Sequence, residues 1–162
     1  MNARDGNEGD GNPPGTITGV INTVDKGTQT EAVVLSVLAK AGYTVLMPFG
    51  PTRYDLAIDA RDGLGIKTVQ CKTGRIVKSC IVWSTCSVHT QTYVKTDYRG
   101  QADFFGVWCP AHGEDVYLVP VDEVGLREGS LRIDPVRLHG QQNREYRWAD
   151  KFKVQPIERE IA

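Results

Sequence analysis

Three polar side chains lie at the ends of two neighbouring strand-like runs, "YDLAIDA" and "GIKTVQCKT". Asp55 comes just before the apolar part of the first run, and Gln70 and Lys72 close the second. Carboxylate, amide and carbonyl oxygens are the ligands that a hard cation such as Mg²⁺ prefers. Such an ion polarises a phosphate and acidifies bound water, while a lysine positions that water or stabilises developing negative charge. These residue types therefore indicate phosphodiester hydrolysis.

Side-chain alternation along a strand predicts that these groups share one face of a sheet. In "TVQCKT", Gln70 and Lys72 point one way while the valine and cysteine of the run point towards the core. In "YDLAID", the same alternation sends Leu56 and Ile58 inward and Asp55 to the opposite face. We therefore expect Asp55 to lie next to Gln70 and Lys72.

The residues alone leave a plainer interpretation open, in which Asp55 caps a turn and Lys72 is a solvated lysine at a strand end. A fourth candidate is Glu31, at the start of a predicted helix from Thr28 to Ala41. The valines and leucines of this segment recur at helical spacing, and a glycine follows as a stop signal. This helix must pack on the sheet to bury them, which would bring Glu31 towards the other candidates.

The rest of the chain reads as strands joined by turns. "YTVLMPF" precedes the two runs above, which gives the order helix, strand, strand, strand. A β-rich half follows, with strands predicted at 79–88, "ADFFGVWC" and "EDVYLVPVDEV". The segment "HTQTYVKTDYRGQ" has no clear period and is predicted as a loop or short helix. After residue 125 we expect an extended tail along the body.

Size and charge limit the class of protein. With 162 residues, 40% of them hydrophobic, the chain can bury one ordinary core. We expect a flexible acidic arm at 1–20, a single domain at 21–155 and a tail at 156–162. The net charge of −1 hides a basic stretch from residue 61 to 99, where seven cationic residues face two acidic ones. No apolar run reaches the roughly 20 residues that span a bilayer, so we expect an intracellular protein without a membrane partner.

Several spaced blocks together resemble the PD-(D/E)XK nuclease superfamily, and most closely its group I intron-associated, homing endonuclease-like branch. They are "VLMPFGPTRYDLAID", "VQCKTG", "STCSVH", "YRGQADFFGVWCP" and "VYLVPVDEV", within roughly residues 26–152. The resemblance implies an α/β fold with a mixed β-sheet core of the restriction-endonuclease type. It also implies a metal-dependent DNA endonuclease.

By this resemblance Asp55 is the metal-binding aspartate, Gln70 takes the place of the second acid, and Lys72 is the catalytic lysine. Glu31 is the helix glutamate that supports the site, and the backbone carbonyl of Cys71 is a further metal ligand. The expected cofactor is Mg²⁺, with Mn²⁺ as a substitute. Gln70 removes one negative charge from the site, which weakens metal affinity unless a phosphate or Glu31 compensates.

The predicted partner is double-stranded or branched DNA, because cations that meet phosphates supply much of the affinity and polar side chains read base edges. The candidate DNA-binding residues follow the opening motif closely: Arg75, Lys78, Ser84, Ser87, His89, Lys95 and Arg99. A chain with one site cuts both strands most simply as a homodimer or homotetramer. The alternatives are a Holliday junction resolvase on the same core and a DNA-binding protein whose nuclease site has decayed.

Overall fold

One helix is followed by ten short strands in the computed structural model, which describes residues 23–88, 94–134 and 146–158. The elements are α1 (Thr23–Lys40), β1 (Thr44–Leu46), β2 (Leu56–Asp59), β3 (Lys67–Thr73), β4 (Arg75–Val77), β5 (Cys80–Ser84), β6 (Cys86–Val88), β7 (Lys95–Asp97), β8 (Phe104–Trp108), β9 (Val116–Pro120) and β10 (Glu128–Arg132). Short 3₁₀ turns occur at Pro110–His112, Val121–Glu123 and Ala149–Lys151. The predicted arm at 1–20 lies outside the described residues.

The central sheet is mixed, as predicted. Its strand order is β1-β2-β3-β8-β9. β3 runs parallel to β8, and the other three pairings are antiparallel. The predicted α/β class with a restriction-endonuclease-type core is therefore confirmed, and β3, which carries Gln70 and Lys72, lies at the middle of the sheet.

Helix α1 begins at Thr23, five residues before the predicted start at Thr28. The first turn carries Asp25, whose negative charge suits a helix N-terminus. The hydroxyls of Thr28 and Thr30 donate to carbonyl oxygens four residues back, at 3.2 and 2.9 Å, which is compatible with continued helix. Glu31 consequently lies in the middle of the helix and not at its start.

The helix packs on one face of the central sheet through a cluster that includes Val34, Leu38, Leu56 and Val69, each at most 1% exposed. Gly106 on β8 permits the close approach: a Cβ atom there would lie 2.9 Å from a methyl group of both Val34 and Val69. Burial of these side chains holds α1 against β3 and β8, and this contact positions Glu31.

A second cluster covers the other face of the central sheet, where Trp83 and Phe105 are fully buried. A three-stranded sheet in the order β10-β5-β4 supplies part of it, and β6 and β7 form a separate pair. The prediction of one strand over 79–88 is wrong, because the chain changes sheet at Thr85. The buried Thr85 hydroxyl donates to the Gly125 carbonyl at 2.6 Å, and its amide donates to the Arg127 carbonyl at 3.2 Å.

Two further expectations need correction. The polar segment that begins at residue 89 contains strand β7 where a loop or short helix was predicted, and 89–93 lie outside the described residues. The segment after residue 125 includes β10, which pairs with β5. Beyond residue 146 the chain does run along the body, with bridges from Lys153 to Tyr117 and from Trp148 to Arg132. Sequence analysis also missed β4.

Within the described ranges, no helix is long and apolar enough to cross a membrane. All four cysteines are free thiols, and three of them are buried: Cys71, Cys86 and Cys109. They act as small core residues, as expected from their apolar surroundings.

Candidate active site

Asp55 lies immediately before β2, where that strand stops covering the edge of β3. Its amide donates to the Val69 carbonyl at 3.0 Å, and Leu56 pairs with Val69, so the register places Asp55 opposite Gln70. The Cys71 amide donates to Asp55 Oδ2 at 2.7 Å. The Asp55 carboxylate therefore accepts the hydrogen bond of a backbone amide that would otherwise pair with a carbonyl of β2.

The Gln70 side-chain nitrogen lies between two oxygen atoms. It donates to Asp55 Oδ2 and, more weakly, to the Cys71 carbonyl at 3.5 Å. The N–H and C=O groups of a strand residue point to the same side, so the Cys71 carbonyl faces the Asp55 edge together with its amide. The Asp55 and Cys71 oxygens thus meet at a point that favours positive charge.

Lys72 projects from the same face of β3 as Gln70 and is half-buried. Its ammonium donates to the Tyr98 hydroxyl at 3.1 Å and lies 4.4 Å from the centroid of that ring. Burial raises the pKa of Asp55, and the positive charge of Lys72 offsets only part of this rise. The structure thus brings Asp55 into contact with Gln70, and Lys72 projects from the same face of β3 as Gln70.

Glu31 approaches this edge from the helix face, whereas Gln70 and Lys72 project from the other face. Partial burial raises the pKa of the Glu31 carboxyl, and the negative charge of Asp55 raises it further. The helix next to Glu31 is tied to the end of β3 by contact between the Thr30 and Thr73 hydroxyl oxygens at 2.5 Å. The negative charges of Asp55 and Glu31 therefore repel one another near the end of β3.

Burial is also the largest influence on Asp55, whose pKa is raised although the Cys71 amide, Lys72 and Gln70 all favour its charged form. Burial likewise raises the pKa of the Cys71 thiol, with the charges of Asp55 and Glu31 acting in the same direction. Neither carboxylate forms an ion pair within the described part of the chain. The site concentrates negative charge that its own cation only partly offsets.

This donor set fits a hard divalent cation held partly by water or phosphate. It offers two carboxylates, the Cys71 carbonyl and the Gln70 amide, all of which can present oxygen. The described residues contain no group of three or more His, Cys, Asp and Glu side chains arranged to hold a metal ion. A fully protein-made cage is therefore absent from that part of the chain, and the open arrangement suits Mg²⁺, which retains several waters.

Two of the predicted DNA-binding cations are engaged within the protein. Arg75 on β4 forms an ion pair with Glu128 at 3.1 Å. Arg99 lies 3.7 Å from an Asp122 carboxylate oxygen and donates to the Val124 carbonyl at 2.9 Å. Both arginine side chains remain more than 40% exposed, so neither pair is sealed from solvent.

The other candidates for DNA contact lie on turns and on the β6–β7 pair. Lys78 is exposed in the turn between β4 and β5, and Lys95 is exposed on β7. Ser84 ends β5, and its hydroxyl donates to the Cys86 carbonyl at 3.1 Å. Ser87 on β6 accepts a hydrogen bond from Arg53. His89 lies outside the described residues.

Sequence analysis missed Tyr98 and Arg53. The Arg53 guanidinium lies 5.7 Å from the Tyr98 ring centroid and donates to Gln101 at 2.6 Å and to Ser87 at 3.3 Å. Arg53 stands two residues before Asp55, so these contacts connect the chain entering the site to β6. The only sequence signal for Tyr98 is an aromatic residue in a basic, aperiodic segment.

The fold and this site define a nuclease of the restriction-endonuclease-like class. The chain belongs to the PD-(D/E)XK endonuclease family, whose model matches residues 21–155. The predicted superfamily is therefore confirmed. The structure is similar to that of a bacterial homing endonuclease, I-Ssp6803I, with a TM-score of 0.59 and 24% identity over 81% of this chain and 88% of that one. This likeness shows a shared fold. Comparison with curated proteins gives no match.

Proposed function

We propose that this chain is a Mg²⁺-dependent endonuclease that hydrolyses phosphodiester bonds at specific sites in double-stranded DNA. The observation that carries the proposal is the meeting of the Asp55 and Cys71 oxygens around the Gln70 amide, beside Lys72. A point that attracts positive charge and lies next to a lysine ammonium suits a metal ion and a phosphate together.

Four groups would hold the metal ion: the carboxylates of Asp55 and Glu31, the Cys71 carbonyl and the Gln70 side-chain oxygen. When bound, the ion would polarise the scissile phosphate and lower the pKa of a bound water. For Gln70 to contribute its oxygen, its amide must rotate so that oxygen replaces the nitrogen that now faces Asp55. Gln70 would then serve where the family also uses an acid.

Lys72 would act on the reacting phosphate. Its ammonium carries three donors on a flexible stem. It can position the attacking water or stabilise the negative charge that develops on the phosphate oxygens. Lys72 lies on the same face of β3 as Gln70, which contacts Asp55, and this arrangement supports a role at the same phosphate.

DNA would lie across the β4–β5 turn and the β6–β7 pair. Lys78 and Lys95 supply exposed positive charge for phosphates, and Ser84 and Ser87 supply hydroxyls. Arg75 and Arg99 would contribute by exchanging their carboxylate partners for phosphates. His89 completes the predicted contact set.

Two copies of the chain, or two such pairs, would place one site on each DNA strand, and light scattering with cognate DNA should give a dimer or tetramer mass.

The decisive experiment incubates purified protein with a randomised duplex library and Mg²⁺, followed by sequencing of the broken ends. We expect a recurrent cleavage site, and no cleavage when EDTA removes the metal. Asp55→Asn and Lys72→Ala should each reduce the single-turnover rate by about 100-fold or more, as removal of a metal ligand or of transition-state stabilisation does. A four-way junction in parallel separates this activity from junction resolution.

Two variants supply matched controls. Asp62→Asn makes the same change in the loop between β2 and β3, at the opposite end of those strands from Asp55. Lys40→Ala removes a lysine at the C-terminal end of α1. Both should cut at the wild-type rate. Wild-type protein that cuts no duplex with Mg²⁺ or Mn²⁺, or Asp55→Asn protein that cuts as fast as wild type, would rule out the proposed function.

A further inference from the structure

Tyr98 is the residue that fixes the Lys72 ammonium in space. The Tyr98 hydroxyl accepts a hydrogen bond from Lys72 Nζ at 3.1 Å, and the same nitrogen lies 4.4 Å from the ring centroid. Lysine is among the side chains that lose the most rotamer freedom when they are ordered. Two simultaneous contacts with one ring remove much of that freedom before any substrate arrives.

Tyr98 is itself held rigidly. It is only 6% exposed, and its ring packs edge-to-face on Phe105, with centroids 5.7 Å apart. Its carbonyl accepts hydrogen bonds from the amides of Gln101 and Ala102, both at 3.0 Å. Phe105 lies on β8 directly beside Gln70 in the parallel register with β3. The ring is therefore anchored to the strand next to the one that carries Lys72.

A second cation approaches the same ring. The Arg53 guanidinium lies 5.7 Å from the Tyr98 centroid, and Arg53 also donates to Ser87 on β6. The electron-rich face of an aromatic ring attracts cations, and it does so more strongly when the pair is desolvated. Tyr98 thus lies between the lysine and the chain that leads into Asp55, and it holds the two parts of the site in a fixed relation.

We propose that Tyr98 is a positioning residue that holds the Lys72 ammonium towards the reacting phosphate through its hydroxyl and its ring. The inference rests on the proposed function, because it assigns Lys72 to the phosphate. Tyr98 does not touch the substrate in this role. It acts through Lys72, by ordering the ammonium and limiting the directions in which it can donate.

The test uses Tyr98→Phe, which keeps the ring on Phe105 and removes only the hydroxyl. We expect the single-turnover cleavage rate with Mg²⁺ to fall about tenfold, the size of effect given by losing one hydrogen bond to a charged group. The DNA dissociation constant with Ca²⁺ and the melting temperature should stay near wild type. Tyr117→Phe makes the same change at a buried tyrosine of the same cluster, on β9, and should leave the rate unchanged.

A double-variant cycle shows whether the hydroxyl acts through Lys72. Lys72→Ala and the combined Lys72→Ala, Tyr98→Phe protein should cleave at the same residual rate, because the hydroxyl has nothing left to position. An additional tenfold loss in the combined variant would mean that Tyr98 acts independently of Lys72, which would overturn the inference.

A readout without metal or cleavage completes the test. In protein labelled with ¹³C at lysine Cε, the two Lys72 Hε protons should differ in chemical shift when the side chain is held, and Lys72→Arg assigns the signal. Tyr98→Phe should reduce this difference in chemical shift, because only the ring contact remains, and an unchanged difference would overturn the inference. If wild-type protein cuts no DNA, the proposed function fails and the inference fails with it. If wild type cuts, Lys72→Ala does not, and Tyr98→Phe cuts normally, the inference alone fails.

Discussion

Two regions of the molecule treat charge in opposite ways: the edge of the central sheet where β3 ends, and the surface around the Trp83 cluster that carries Arg75 and Arg99. In the first region, Asp55 and Glu31 both have a raised pKa, and neither forms an ion pair in the part of the chain that the structure describes. In the second region, Arg75 and Arg99 already have carboxylate partners. The charges of the second region are thus paired within the protein, whereas the first concentrates negative charge that a cation from outside would neutralise. We infer that metal binding and chemistry belong to the first region.

The largest expected effect separates activity from stability at Asp55. The charged carboxylate is disfavoured chiefly by burial, so Asp55→Asn should unfold at the same or a higher temperature than wild type in EDTA at pH 7. The same variant should lose about 100-fold or more in cleavage, for the reason given above. Differential scanning calorimetry measures the melting temperature.

The control for this prediction is Asp62→Asn, which should change neither the melting temperature nor the cleavage rate. A drop of several degrees in the melting temperature of Asp55→Asn would show that the Asp55 carboxylate stabilises the fold by accepting the hydrogen bond of the Cys71 amide. The contrast between the two regions would then disappear.

The next effect compares two glycines, one in each cluster. A Cβ on Gly129 would lie 2.4 Å from a Trp83 ring atom, and a Cβ on Gly106 would lie 2.9 Å from methyl groups of Val34 and Val69. Both Ala variants should lose about 1–3 kcal/mol of stability, as overpacked cores do, with Gly129→Ala the more affected. Urea unfolding measures this difference.

The two glycine variants should differ in activity. Gly106→Ala pushes α1, and with it Glu31, away from β3, so its cleavage rate per folded molecule should fall. Gly129→Ala acts beneath the Trp83 ring and should leave that rate unchanged. Equal rates in the two variants would mean that the helix contact does not position the site.

A smaller effect concerns pH. Because the pKa of Glu31 and of Asp55 is raised above 4.5 and 3.8 respectively, the folded state binds more protons than the unfolded state in the range just above these values. The contribution of these two carboxyls to the free energy of unfolding is therefore complete at pH values below their ordinary pKa. It is lost as pH rises through their pKa values in the folded state. Metal-free wild type should lose more stability from pH 4 to 7 than the Asp55→Asn, Glu31→Gln double variant.

Calorimetry of both proteins across this range isolates the two carboxyls from other titrating groups. Apparent Mg²⁺ affinity should rise over the same range, because the ion competes with protons for these oxygens. Parallel stability curves for the two proteins would show that burial does not raise these pKa values.

Local pattern was enough to expect Asp55 beside Gln70, because β2 and β3 are consecutive strands whose register is local. Asp55 stands just before β2 and opposite Gln70, and alternation along β3 places Gln70 and Lys72 on one face. Tyr98 was out of reach, because its contact with Lys72 depends on the pairing of β3 with β8, which no period in the sequence signals. The break at Thr85 was equally hidden, since its hydroxyl partner is the carbonyl of Gly125, forty residues further along.

The smallest effect tests whether the charge pairs of the second region can be opened to DNA. Arg75 and Glu128 form an exposed pair of the kind that contributes about 0–1 kcal/mol. Glu128→Gln should free the guanidinium for phosphate and tighten DNA binding with Ca²⁺ about two- to fivefold, with a salt dependence steeper by about one counterion. Glu114→Gln, at an exposed acid just before β9, controls for net charge. If both variants tighten binding equally, the gain reflects overall charge alone, and Arg75 does not meet the DNA.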